Sequence, residues 1–113
     1  MIDFEHGQLI STEQLKEAVE KNHIKLVEVL SPKLYEQEHV KGAINIPLTH
    51  LKELAPKLLD KEDEIVVYCT DEDCLASPVA ARTLREMGYK KVLDYEEGKL
   101  AWKAAGLPME KGS

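Results

Sequence analysis

The sequence is poor in several things that usually announce a function. It has two cysteines in 113 residues, too few for a disulfide framework, so a free thiol in a reducing cytoplasmic compartment is the expectation. No apolar run approaches the eighteen or so residues of a membrane span. The start, Met1-Ile2-Asp3-Phe4-Glu5-His6, lacks the basic patch and apolar core of a signal peptide. Basic blocks are absent and the net charge is -6, which argues against nucleic acid and anionic membrane surfaces as partners. His6, His23, His39 and His50 lie on separate segments and the cysteines stand five apart. No metal-ligand pairing results, and no two-residue thioredoxin gap. Repeats and low-complexity linkers are missing, so residues 1–113 read as one domain with a core over about 8–108. No organic cofactor is implied. The aromatics are few, and Tyr95 and Trp102 read as packing residues rather than a substrate platform.

What is present is an alternation of short apolar runs and helical patterns. Gln8-Leu9-Ile10 reads as a short strand. Ser11 with Gln14 forms a capping box for a helix carrying Leu15, Ala18 and Val19 and stopping at Asn22. Ile24 to Leu30 is nearly continuously apolar, as expected of a strand covered on both faces. Ser31-Pro32 caps and opens a short helix to about Glu38. Gly42 to Pro47 reads as turn, strand and stop. A helix over about His50–Leu59 uses Leu51, Leu54 and Leu58, with Pro56 expected to kink or split it. Ile65 to Tyr68 is a β-branched strand ending on Cys69. Ser77-Pro78 opens a helix to Met87, closed by Gly88. Val92 to Tyr95 is a strand, and Gly98 to Trp102 a last helical stretch. Met109 to Ser113 is expected to fray. The simplest architecture is α/β: an open, mainly parallel sheet with helices on both faces.

Ligands of such sheets bind at the carboxyl ends of strands. Cys69 sits at one, followed by the loop Thr70-Asp71-Glu72-Asp73-Cys74-Leu75-Ala76 and a helix N-terminus. Unpaired N–H groups and the positive end of a helix dipole are expected to face the sulfur, lower its pKa and cradle small anions. The bland alternative is a structural thiol packed as a small hydrophobe. Cys74 is either incidental or a resolving thiol that attacks an oxidised Cys69. An arginine six residues after the cysteine would suit phosphate transfer, but Leu75 stands there.

Several runs resemble a rhodanese-like domain. Leu26-Val27-Glu28-Val29-Leu30 is similar to that family's second-strand motif, leucine-valine-aspartate-valine-arginine. Tyr35, His39 and Gly42-Ala43-Ile44-Asn45-Ile46-Pro47 resemble its next signature. Val66-Val67-Tyr68-Cys69 resembles the strand leading to its active cysteine. Glu97-Gly98, Trp102, Gly106 and Pro108 resemble its closing pattern. The resemblance implies a rhodanese-like fold and sulfurtransferase activity, with Cys69 as the nucleophile that becomes a persulfide. It makes Thr70, Asp71, Glu72, Asp73, Cys74 and Leu75 the substrate-binding loop. Its partners would be a small sulfur donor or a protein persulfide, and a thiol acceptor.

The chain departs from the pattern at the loop, which is about two residues longer than usual, acidic, and free of arginine between Cys69 and Arg82. A carboxylate about 6 Å from a thiolate repels it by roughly 0.7 kcal/mol in water and about 3 kcal/mol at an effective dielectric near 20. Inward-pointing carboxylates would therefore suppress the thiolate, whereas outward-pointing ones would not. Two alternatives to an enzyme follow: a non-catalytic binding or regulatory module, and a Cys69/Cys74 redox sensor.

Overall fold

The computed structural model describes residues 2–21 and 23–112. The helix stop read at Asn22 lies outside the described residues.

Four parallel strands form the main sheet in the order β3-β1-β4-β5: β1 is Lys25–Glu28, β3 Ile44–Asn45, β4 Glu64–Tyr68 and β5 Lys91–Tyr95. Helices α1 (Thr12–Lys21), α2 (Pro32–Gln37), α3 (Leu51–Leu58), α4 (Ala76–Glu86) and α5 (Gly98–Ala104) connect and cover them. The expected α/β, rhodanese-like architecture is the one observed. Side chains alternate across the sheet. Val27, Ile65, Val67, Cys69 and Val92 pack with Leu51 and Ala55 of α3 and with Ala80, Ala81 and Leu84 of α4. Leu26, Val66, Tyr68, Leu93 and Tyr95 pack on the other face with Leu15 of α1 and Trp102 of α5.

Local chemistry explains the helix starts. Ser11 and Gln14 exchange capping bonds, Gln14 N–H to Ser11 Oγ at 3.2 Å and Ser11 N–H to Gln14 Oε1 at 3.0 Å. The Leu34 N–H donates to Ser31 Oγ at 3.3 Å, with Pro32 at the first helical position. His39 is buried, stacks on Tyr35 at 3.8 Å between ring centroids, and contacts the Tyr35 carbonyl through Nδ1 at 2.8 Å.

Four expectations need correction. Pro56 lies inside a continuous α3, exposed and only two residues from the helix end, so the single lost backbone bond does not break it. The buried stripe of α3 is Leu51 and Ala55, while Leu58 is 47% exposed. The first segment contributes a single bridge, Leu9 to Asp94, with Ile10 N–H donating to the Asp94 carbonyl at 3.2 Å. The tail does not fray through Glu110: β6 (Met109–Glu110) pairs antiparallel with β2 (His39–Val40), supplying partners to an otherwise open edge.

Candidate functional site at the carboxyl end of β4

In the strand order β3-β1-β4-β5 the connections run outward in opposite directions from β1 and β4. The crevice between their carboxyl ends is the topological switch point, where sheets of this kind bind ligands. Cys69 follows the last residue of β4 at that point. Its Val67 neighbour pairs with Val27 on one side and Asp94 on the other.

The loop after Cys69 is held from two sides. The first amides of α5, Lys99 and Leu100, donate to the Cys69 and Thr70 carbonyls at 3.0 and 3.1 Å. Gly98, at a φ of +79°, lies so close to this wall that a Cβ there would sit 2.5 Å from the Thr70 carbonyl carbon. Within the loop, Cys74 N–H donates to the Asp71 carbonyl at 3.2 Å, and Asp73 N–H donates to Asp71 Oδ1 at 3.0 Å. Asp71 thus turns toward its own loop.

Cys69 itself is 1% exposed, and its Sγ–H donates to the Cys74 carbonyl at 3.4 Å. The expected depression of its pKa is not found. Burial pushes the thiol up to about 11, the Cys74 side chain adds to the rise, and the hydroxyl and N–H of Ser77 pull the other way. The sulfur is enclosed in the core and its S–H turns to a carbonyl, so the pull of Ser77 does not prevail over burial. The acidic side chains are not what raises it, since Glu72 and Asp73 are exposed and no loop carboxylate acts on the thiol.

The remaining candidate loop residues sort by position. Thr70 and Asp71 are half-buried. Cys74 is half-buried too and packs against the same apolar cluster as Cys69. Leu75 is 72% exposed and occupies the N-cap position of α4 without a side-chain cap. Ser77, read from sequence as opening the helix with Pro78, lies one residue inside it. It is 1% exposed, and its hydroxyl turns toward Cys69 rather than capping the helix. Among the described residues, no group of three or more histidine, cysteine, aspartate or glutamate side chains could hold a metal ion.

Two buried polar sites flank the thiol that the sequence pattern did not single out. On the α1/α5 face, Glu28 is fully buried. It accepts from Tyr68 Oη at 2.9 Å and from Lys99 Nζ at 3.1 and 3.2 Å. Lys99 also donates to the Leu34 and Glu38 carbonyls at 3.2 and 2.6 Å. On the α3/α4 face, Asp94 is 4% exposed with Oδ1 unpartnered, and Ser77 is the side chain that reaches its carboxyl group. Burial raises the pKa of both carboxyls above the usual carboxylate range; Tyr68 and Lys99 oppose the rise at Glu28, and Ser77 opposes it at Asp94. One signal for Asp94 was legible: a single acid inside the apolar run Val92 to Tyr95.

A parallel α/β sheet with a thiol delivered to its switch point defines a class of proteins, and the comparisons name it. The chain belongs to the rhodanese-like domain family, whose pattern matches residues 11–105. It is 41% identical over 87 residues to the thiosulfate sulfurtransferase PspE of Escherichia coli, covering 76% of this chain and 78% of that protein. It is 35% identical over 104 residues to an HTH-type transcriptional regulator of Mycobacterium tuberculosis, spanning 92% of this chain but only 45% of that protein. The rhodanese-like domain of an Anabaena sp. protein superposes with a TM-score of 0.85 at 27% identity, over 93% of this chain and 80% of that one. No described helix is long and apolar enough to cross a membrane.

Proposed function

We propose that Cys69 accepts a sulfane sulfur from a small donor or a protein persulfide and passes it to a thiol. The observation that carries this reading is the place of Cys69, directly after β4 at the switch point of the parallel sheet and ahead of the N-terminal end of α4. Family membership and the sulfurtransferase named PspE give the chemistry its direction. In the reaction, Cys69 Sγ bonds to the outer sulfur of the donor as the donor's own bond to that sulfur breaks. An acceptor thiolate then takes the outer sulfur and returns Cys69 as a thiolate. One sulfur bond is exchanged for another, and no outside oxidant is needed.

The site favours some donors over others. Without an arginine in residues 70–81, nothing cationic in the loop offsets the two charges of thiosulfate. Persulfides, whose sulfane sulfur carries at most one charge, are the preferred donors. The contact between Cys69 and the Cys74 carbonyl must open for any donor to enter. A cytoplasmic, reducing setting would keep both thiols available.

A second reading rests on the Cys74 side chain, which packs against the same apolar cluster as Cys69 and helps to raise its pKa, a placement that suits a resolving thiol. The Cys74 thiolate attacks Sγ of the Cys69 persulfide, a Cys69–Cys74 bond forms, and hydrosulfide leaves with the outer sulfur. The test for both is sulfide release from a polysulfide donor. Wild type with excess thiol acceptor forms the acceptor persulfide over many turnovers, a second acceptor thiol then displaces sulfide from it as the disulfide forms, and Cys69→Ser gives no such turnover. Under the second reading, wild type without acceptor releases about one sulfide per chain and forms the disulfide, and Cys74→Ser does neither. Wild type no better than Cys69→Ser with every donor would leave a binding or regulatory module.

A further inference from the structure

The main chain around Cys69 is fastened through one buried carboxyl group. Glu28, the last residue of β1, is paired in register with Tyr68, the residue before the thiol. Two routes lead from its carboxylate to the peptide units on either side of Cys69. The first is direct: Tyr68 Oη donates to Glu28 Oε1 at 2.9 Å and accepts the Val40 N–H at 3.0 Å. The second runs through Lys99. Its Nζ donates to Glu28 Oε1 and Oε2 at 3.1 and 3.2 Å, while its own N–H donates to the Cys69 carbonyl at 3.0 Å. The next amide of α5, that of Leu100, holds the Thr70 carbonyl at 3.1 Å. Tyr68, Cys69 and Thr70 are thus all tied back to Glu28, directly or through the first turn of α5.

The side chain of Cys69 is held less firmly. Its Sγ–H donates to the Cys74 carbonyl at 3.4 Å, and a thiol is a weak donor. The bonds at Glu28 join charged partners, which makes each roughly twice as strong as a neutral one. We infer that the Glu28–Lys99 pair is the positioning device of the thiol. It fixes the main chain of residues 68–70, so that a sulfur donor is admitted by movement of residues 71–75 alone. Lys99 is a positioning residue, because it acts on Cys69 through its own amide. The inference rests on the sulfur-acceptor reading above for its use: a sulfur carrier has to open to its partner and stay closed to stray thiols.

Independent features support it. Lys99 Nζ also donates to the Leu34 and Glu38 carbonyls at the C-terminal end of α2, at 3.2 and 2.6 Å, where a cation is favoured. The lysine therefore staples α2, which follows β1, to α5, which follows β5, across the carboxyl ends of the strands. Glu28 is fully buried and Lys99 is 8% exposed, so water competes little for these bonds. Gly98 leaves no slack beside them, since a Cβ there would lie 2.5 Å from the Thr70 carbonyl carbon. Past Thr70 the character of the chain changes. Glu72, Asp73 and Leu75 are exposed. The Cys74 N–H bond to the Asp71 carbonyl and the Asp73 N–H bond to Asp71 Oδ1 are internal to the turn. Such a turn can swing as a unit without breaking either, as expected of a segment that opens locally. The boundary between the fixed and the moving part falls between Thr70 and Asp71.

The test is the labelling rate of Cys69 by iodoacetamide across urea concentrations below the unfolding transition, read by peptide mass spectrometry so that Cys74 is scored separately. The double variant Glu28→Gln with Lys99→Met removes the ion pair without stranding a buried charge. Opening of residues 71–75 exposes little surface, so wild-type labelling should depend only weakly on urea. The double variant should label about tenfold or more faster, still with a slope well below that of global unfolding. Hydrogen exchange at the amides of residues 99 and 100 should quicken with it. Lys103→Met cuts the exposed pair of Lys103 with Glu38 Oε1 at 2.7 Å, one turn further along α5, and should leave both readouts unchanged. A pair that merely stabilises the fold would act through global unfolding. Faster labelling that carries the full urea slope therefore overturns the inference, and so does a folded double variant labelled at the wild-type rate. Once Cys69 has been loaded from cysteine persulfide, the double variant should also lose its sulfur to glutathione about tenfold faster. Loss at the wild-type rate counts against the inference. If wild type takes up no sulfur from any donor, the sulfur-acceptor reading fails, and the iodoacetamide rates still decide whether the pair holds Cys69 in place.

Discussion

Two buried carboxyl groups sit on opposite faces of the same sheet, each one strand away from β4, and they live differently. Glu28 meets a lysine and a tyrosine, and both of its oxygens are bonded to Lys99. Asp94 has one serine within reach and an oxygen with no partner. The first arrangement ties β1, β4 and α5 together, and α5 in turn holds the Cys69 and Thr70 carbonyls. The second leaves a polar group short of bonds on the same face of the sheet as Cys69. A folded protein tolerates such a deficit at a cost of about 1–3 kcal/mol. The contrast is between a strut and a carboxyl group left short of bonds.

The largest expected effect breaks the strut. Lys99→Met should destabilise the fold by about 3–5 kcal/mol at neutral pH, because it leaves Glu28 buried without its cation. The loss should shrink as pH falls through the carboxylate range, where Glu28 can take up a proton instead. Urea unfolding across pH measures both, and pairing the change with Glu28→Gln should recover part of the loss. A pH-independent cost would mean that only the lysine's packing and carbonyl contacts matter.

Next in size is the wall beside it. Gly98→Ala should cost about 2–3 kcal/mol through its left-handed backbone and its collision with Thr70. Gly106→Ala, also at positive φ but facing open space, should cost about 1 kcal/mol. Equal costs would mean that the Gly98–Thr70 contact does not hold the loop.

Asp94→Asn should behave unlike Lys99→Met, leaving stability unchanged or raising it by about 1 kcal/mol at pH 7–8. The sign follows from linkage. A carboxyl whose folded pKa is raised binds its proton more tightly in the native state. Stability is therefore lost as pH rises from the unfolded value through the folded one. The variant's advantage should fade below the usual carboxylate range. A drop as large as that of Lys99→Met would make Asp94 a second strut.

The smallest effect concerns the loop acids. Neutralising Asp71, Glu72 and Asp73 together should change the alkylation rate of Cys69 by less than about twofold, since the two exposed charges are screened by solvent. A large acceleration would place them, rather than burial, in control of the thiol.

These features were unequally legible in the sequence. The strand ending on Cys69 and the capping signals at Ser11 and Ser31 announce themselves through local periodicity and short-range bonds, so the sheet and most helices could be read directly. The pairing of the tail with His39 and Val40 depends on contacts some seventy residues apart in the chain, which periodicity does not carry. The same holds for the site. Cys69 was visible as a strand-end thiol, and Ser77 was visible only as a residue that opens the following helix. A carbonyl accepts from the thiol because the turn closed by Cys74 N–H on the Asp71 carbonyl folds Cys74 back over the sulfur. Asp94 gains its meaning solely from register with Val67, and Glu28 from a lysine that α5 brings across the sheet.

The central claim, that Cys69 carries sulfane sulfur, is tested most directly by weighing the Cys69 peptide after exposure to inorganic polysulfide and trapping of free thiols. The account predicts an added sulfur on Cys69 in the wild type and none at that position in Cys69→Ser. A wild-type peptide that gains no sulfur at Cys69 from polysulfide, persulfide or thiosulfate would contradict it.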